Sequence, residues 1–425
     1  VLAQFMRSRR AGSSSARFRS ARGIGESVGR AFLNLPNTYW LLWVGALINR
    51  LGGFVFTFLA LYLTESVKLS PTAAGAVIAV YGTGSFIAAA VGGTIADRLG
   101  RRFGILFGTV TGALAVIVLG FVSSVAAITV ASFLAGLLGD SYRASLNAAV
   151  ADVVPEPDRA RAYSFLYWAV NLGFAVAAGS AGWLAKHGYH WLFIIDAITT
   201  LSFAFIVFLF FKESKPERKA AAPPPLAWWE PFKQPLFLRF AISQFLVILV
   251  FMQSQASLPI AMRANGIGPE VYGSLIACNG VLIIVLQPLS LRLIRGVPLR
   301  TLLTLGAVLT GLGFGINAFA STVPIYALSI LVWTCGEIAF AASGPAFVSQ
   351  IAPVHARGVY QGAFQMLWGG GFAVAPLVGT SVMQYFSAVH LWLGCAVVCL
   401  VAAFALAQLK TENSSAEATS SIIVE

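Results

Sequence analysis

A chain of 425 residues that is 58% hydrophobic and only 10% charged is no ordinary soluble domain, in which about a quarter of the residues carry charge. Its formal charge of +12 would suit a nucleic-acid partner, but the basic residues sit in short segments between long apolar runs. That pattern describes membrane-flanking loops facing anionic lipid and excludes nucleic acid.

Residues 1–35 include RSRRAGSSSARFRSARG, basic, Ser-rich and poor in acids, and read as a disordered cytoplasmic tail and not a cleaved signal. Apolar runs then fall at 39–63, 72–96, 103–123, 126–151, 160–185 and 190–211, and again at 236–262, 270–294, 299–319, 323–351, 358–385 and 388–409. Each holds about 20 or more residues, enough for a helix to cross the hydrocarbon, and too long for a barrel strand. The prediction is an all-α membrane protein of twelve transmembrane helices. The six-helix bundles occupy 36–211 and 236–410. Between them, KESKPERKAAAPPPLAWWEPFKQP at 212–235 is charged and Pro-rich, a cytoplasmic linker with room for a surface helix around Trp228 and Trp229. Residues 411–425 read as a disordered tail.

With the N-terminus inside, 23 of the 28 Lys and Arg fall on the cytoplasmic side. Three (Lys68, Lys186, Arg263) fall outside and two (Arg50, Arg143) within the membrane. This asymmetry predicts both termini in the cytoplasm. The halves are also copies. At an offset of 198, Pro71, Gly75, Ile78, Ala79 and Gly82 recur as Pro269, Gly273, Ile276, Ala277 and Gly280, and GFAVA occurs at 173–177 and 371–375. A constant offset across several helices is a parallel repeat, which predicts two bundles related by a pseudo-two-fold axis along the membrane normal and a binding site between them.

Four ionisable groups stand near mid-depth: Arg50 in the first run, Asp140 and Arg143 in the fourth, and Glu337 in the tenth. Such groups face a cavity and mark ion or substrate paths. Asp140 and Arg143 are i,i+3 and share a helix face. They serve either as a structural ion pair or as part of a proton relay, and Arg50 either pairs with one of the acids or contacts substrate. Glu337 has no cation on its own helix and is the first candidate for a protonatable carrier. Asp196 is placed nearer the outside. Candidate substrate contacts are Arg50, Tyr81, Trp168, Asn171, Gln253, Gln255, Asn279, Trp333, Gln365 and Trp368, an amphiphilic set suited to aromatic or mixed-polarity solutes. The cysteines Cys278, Cys335, Cys395 and Cys399 read as buried small hydrophobes. Neither a phosphate-binding loop, a metal cluster nor a catalytic triad can be assembled, so the chain is not read as an enzyme. No cofactor is expected, with a proton gradient as the energy source.

Between the second and third runs stands GGTIADRLGRR at 92–102. With the helix count, linker and repeat, it resembles the signature loop of the major facilitator superfamily. The resemblance covers about residues 36–410 and is nearest to bacterial drug/proton antiporters, the multidrug-exporter branch. It implies that helices 1, 4, 7 and 10 line a cavity, which takes in all four mid-depth charges. It also implies a cytoplasmic latch built from Gly93, Asp97, Arg98, Gly100 and Arg101, joined by Asp152. The second copy, RLIRGVPLR, carries Arg295 at the Asp97 position and is degenerate. Arg143 occupies a position like the family's fourth-helix arginine. The fifth-helix antiporter motif is not matched, since NLGFAVAAGSAG lacks its proline.

These expectations converge on a monomeric transporter of the bacterial inner membrane. It would move a small organic solute by alternating access, in exchange for protons and among membrane lipid. The alternatives are a proton-coupled importer of peptide-like or anionic solutes, a lipid or lysolipid flippase, or a non-transporting membrane receptor.

Overall fold

The computed structural model of the chain describes residues 35–155, 158–213, 227–293, 297–353 and 356–409. Among them are twelve helical stretches long and apolar enough to cross a membrane, numbered here as spans 1 to 12. The N-terminal half holds span 1 (Asn37–Leu51 and Val55–Leu61, ending in a π turn at Tyr62–Ser66), span 2 (Pro71–Leu99), span 3 (Arg101–Phe121), span 4 (Val125–Gly139 and Tyr142–Val153), span 5 (Arg159–His187) and span 6 (His190–Phe210). The C-terminal half holds span 7 (Pro235–Phe251 and Ser257–Ala264), span 8 (Pro269–Leu293), span 9 (Leu299–Ile316), span 10 (Val323–Ile351), span 11 (Arg357–Tyr385) and span 12 (Ala388–Ala407).

Spans start where the sequence supplies caps. Ser70 accepts a hydrogen bond from the Ala73 amide and is followed by Pro71, while Ser124 and Ser387 cap spans 4 and 12 in the same way. Such side chains satisfy amides that the helix itself leaves free, and proline needs no such partner.

Packing repeats between the halves. Span 1 packs on spans 5 and 6, span 2 on span 4, and span 3 on spans 4 and 6. In the C-terminal half span 7 packs on spans 11 and 12, span 8 on span 10, and span 9 on spans 10 and 12. The halves meet along span 2 against span 11 and span 8 against span 5. The repeated glycines explain both seams. A Cβ on Gly82 would lie 2.2 Å from the Phe372 carbonyl oxygen, and one on Gly280 would lie 2.8 Å from the Ala175 Cβ. Phe372 and Ala175 are both members of the repeated GFAVA segment, so each copy of the motif receives a glycine from the opposite half. Small residues bring helix backbones close, which is how helices associate where lipid is as apolar as leucine.

Polar links between the halves, among the described residues, gather at the end opposite the chain termini. Glu65 pairs with Arg263 at 2.6 Å and Lys186 with Glu270 at 3.0 Å, and the Thr72 amide donates to Gln384 Oε1 at 2.9 Å. Tyr189 donates its hydroxyl to Glu65 at 2.8 Å. Burial, reinforced by that carboxylate, pushes the Tyr189 pKa up and keeps the phenol protonated.

Three spans are interrupted near the middle of their length. Span 1 breaks at Gly52–Phe54, where paired glycines lower helix propensity. Span 4 breaks at Asp140–Ser141, residues whose side chains compete for the backbone, as the Ser141 hydroxyl does with the Leu138 carbonyl at 2.7 Å. Span 7 breaks between Phe251 and Ser257 through a 3₁₀ turn. Pro259 clashes with a helical carbonyl four residues back, at Gln255.

Several expectations are corrected. Most of the signature stretch at 92–102 is helical: span 2 continues to Leu99, and Gly100, at φ 104°, makes the tight turn. The next helix is capped by the Glu213 carboxylate, which accepts from the Arg101 amide at 2.7 Å. Trp228 and Trp229 are exposed and precede a 3₁₀ turn at Glu230–Lys233 instead of lying on a surface helix. Cys395 and Cys399 are buried, whereas Cys278 and Cys335 are exposed. Both tails, most of the linker and the Arg295 turn lie outside the described residues.

Candidate functional site

Between the halves lies a cavity of about 330 Å³. Its wall includes the break regions of all three interrupted spans: Arg50 and Gly53 of span 1, Gly139 and Asp140 of span 4, and Ser254 and Gln255 of span 7. Glu337 comes from span 10 and Asp196 from span 6. The sequence expectation that Arg50, Asp140, Arg143 and Glu337 share one chamber agrees with this geometry.

On the N-terminal side, Arg143 Nη2 meets Asp140 Oδ1 at 2.8 Å. The arginine side chain is 47% exposed, so the pair is solvated and contributes at most about 1 kcal/mol. Beside it runs a hydrogen-bond chain. The Tyr142 hydroxyl donates to Asn49 Oδ1 at 2.8 Å, Asn49 Nδ2 donates to Thr200 Oγ1 at 2.9 Å, and that hydroxyl donates weakly to Asp196 Oδ1 at 3.4 Å. Asp196 Oδ2 in turn lies 3.4 Å from the Val55 amide, the first of the second helical segment of span 1, where a carboxylate complements the helix N-terminus. The chain therefore ties the break in span 4 to the break in span 1.

Asn49 is its centre and is buried. Asn49→Ala strands the Tyr142 hydroxyl and leaves Thr200 without its donor. The expected loss is about 1–3 kcal/mol, seen as a lower melting temperature of the purified protein; a melting temperature equal to that of the unsubstituted protein would remove the chain as a structural element.

On the C-terminal side, Asn279 Nδ2 donates to Glu337 Oε2 at 2.9 Å and to Thr334 Oγ1 at 3.0 Å, while the Thr334 hydroxyl donates to the Ile330 carbonyl at 2.6 Å. Glu337 is thus oriented by a neutral amide. The remaining wall is aromatic. Phe56 stands 4.8 Å from Phe372 and 5.3 Å from Tyr81, ring centre to ring centre, bridging the halves, and Phe251 packs on Trp333 and Trp368.

Of the candidate substrate contacts, Arg50, Tyr81, Asn171, Gln255, Asn279, Trp333 and Trp368 line the cavity. Trp168, Gln253 and Gln365 do not. Trp168 and Gln365 are exposed, and Gln253 is consumed as a strap, donating to the Ala375 carbonyl at 2.9 Å and accepting from Ser257 at 2.6 Å. Asp196, expected nearer the outside than the four mid-depth charges, also lines the cavity. Asn49, Tyr142 and Thr200 are additions that sequence reasoning missed; the polar Asn49 beside Arg50 was the available signal. In the latch set, Arg101 pairs with Asp152 at 2.9 Å within one half. The surroundings of Gly93 and the side chains of Asp97 and Arg98 lie outside the described residues.

The comparisons agree with this architecture. The family profile described as Major Facilitator Superfamily matches residues 42–261 and 240–421. An uncharacterised MFS-type transporter, YttB, of Bacillus subtilis is 24% identical over 373 residues, covering 86% of this chain and 94% of that protein. A Na(+), Li(+), K(+)/H(+) antiporter of Planococcus maritimus is 24% identical over 386 residues, covering 82% of this chain and 87% of its own length. A crystal structure of a POT family transporter in complex with a thioalcohol-conjugated peptide superposes with a TM-score of 0.76 at 15% identity, over 87% of this chain and 95% of that one; this likeness is one of fold. With the profile matched across both repeated halves and twelve spans enclosing one chamber, the chain belongs to the Major Facilitator Superfamily and is an integral, multi-pass membrane transporter.

Proposed function

We propose that the chain is a proton-coupled secondary transporter that exchanges protons for a small organic solute, moving the solute outward by alternating access. The observation that carries this reading is Glu337: a carboxyl on the cavity wall, oriented by Asn279 and paired with no cation among the described residues. A carboxyl so placed binds and releases protons as the cavity's exposure changes. The proton and the cationic part of a solute compete for one site, which makes exchange the natural coupling. The aromatic wall suits drug-like solutes. The Planococcus relative, named as an antiporter, lends support by kinship. In this reading both termini face the cytoplasm of a bacterial cell, the protein sits in the inner membrane as a monomer, and the proton gradient supplies the energy without a cofactor.

A second reading, import of anionic or peptide-like solutes with protons, is favoured by Arg50, a cavity-lining cation. Flux direction separates the two. In proteoliposomes with an imposed pH gradient and an entrapped pH dye, exchange moves solute against the proton flow and import moves both together. Absence of pH-driven flux for every solute tested would overturn the proposal.

A further inference from the structure

The five charged groups on the cavity wall divide into those with partners and those without. Asp140 is committed to Arg143. Asp196 accepts from Thr200 and the Val55 amide. The Arg50 guanidinium makes no hydrogen bond or ion pair with any described residue; it lies close enough to Asp196 to feel its charge but is not paired with it. Among the described residues, Glu337 accepts only from the neutral Asn279 amide. One uncommitted cation therefore stands on the N-terminal half and one uncommitted anion on the C-terminal half. Two neutral groups on the same wall are also unmatched among the described residues: Trp333 Nε1 is buried without an acceptor and Gln255 Oε1 without a donor.

The buried Trp333 and Gln255 atoms are costly to leave unmatched, and the partly buried Arg50 and Glu337 present charge to the cavity without a charged partner. The missing partners thus describe what the cavity accepts. We infer that the solute is amphoteric and aromatic: an anionic group, of the carboxylate type, meets Arg50, a protonated amine meets Glu337, and an aromatic body lies against Tyr81, Phe372 and Trp368. A purely cationic solute would be repelled by Arg50 and leave it unmatched. A purely anionic one would do the same at Glu337. The cavity, about 330 Å³, lies at the small end of the range for organic-ligand sites, which favours a compact solute. This inference deepens the proposed function, since it concerns the same cavity, but its test uses no gradient and stands apart from the flux result.

The test is binding to the purified full chain, read by calorimetry with two probes that differ in charge spacing: 4′-(aminomethyl)biphenyl-4-carboxylic acid and L-phenylalanyl-L-phenylalanine. Each is compared with its methyl ester, which keeps only the cation, and its N-acetyl form, which keeps only the anion. At least one zwitterion is expected to bind about tenfold or more tighter than both of its derivatives, a gap of about 1.4 kcal/mol. In Arg50→Gln that zwitterion falls to the affinity of its ester, and in Glu337→Gln to that of its N-acetyl form. An ester that binds as tightly as its zwitterion, an N-acetyl form that does so, or no binding of either zwitterion would overturn the inference. The comparison within the unsubstituted protein decides it even where a variant fails to fold.

Discussion

Glu337→Gln is expected to reduce pH-driven solute flux to background, by about 100-fold or more, while solute–solute exchange across the same membrane persists. Glutamine keeps the side-chain length, and its carbonyl oxygen still accepts from Asn279, so the local hydrogen bond at 2.9 Å survives. What is lost is the capacity to gain and release a proton. A charge fixed at zero lets the halves alternate but severs the dependence of that motion on the gradient. The two assays separate coupling from folding: a protein that failed to assemble would lose exchange as well. Coupling retained in full would remove Glu337 from the mechanism and leave Asp140 or Asp196 to carry the proton.

Gly82→Val is expected to disable the cycle by a different route. Any Cβ at this position would fall 2.2 Å from the Phe372 carbonyl oxygen, inside the distance at which atoms can coexist, and the obstacle is backbone that cannot rotate away. The seam between spans 2 and 11 must open, shifting the population toward the state in which the far ends of the halves are parted. Flux is expected to fall about tenfold or more. A cross-link between cysteines at positions 72 and 384, joined here by the Gln384 side chain accepting from the Thr72 amide, is expected to form far less readily. Gly362→Ala on span 11 is the control, because nothing stands within 4 Å of a Cβ there. Unchanged cross-linking in Gly82→Val would mean that the seam is not a moving contact.

The fold was legible because its determinants are local and repeated. Length and hydropathy set each span, the 198-residue offset exposed the duplication, and charges were rare enough for Arg50, Asp140, Arg143 and Glu337 to stand out. The rest depended on contacts that no linear pattern carries. The tie between Asp196 and the Val55 amide exists because span 1 breaks there, and no linear pattern marks that break as a partner. Gln253 and Gln255 looked alike in sequence, yet one is spent on the Ala375 carbonyl and the other keeps an unmatched oxygen on the cavity wall. Trp168 and Gln365 are on helices that border the cavity, yet both are exposed and neither lines it. The signature stretch carries its own turn signal, since Gly100, with a positive φ, is the residue at which the chain reverses.

The ion pairs that join the halves opposite the termini have a consequence for speed. Their cationic partners are about half exposed, Arg263 at 53% and Lys186 at 54%, and each such pair contributes only about 0–1 kcal/mol. Clasps this weak lift within thermal reach and loosen further as salt shields them. These two bridges therefore add little to the cost of parting that end, and the close-packed seams carry most of it.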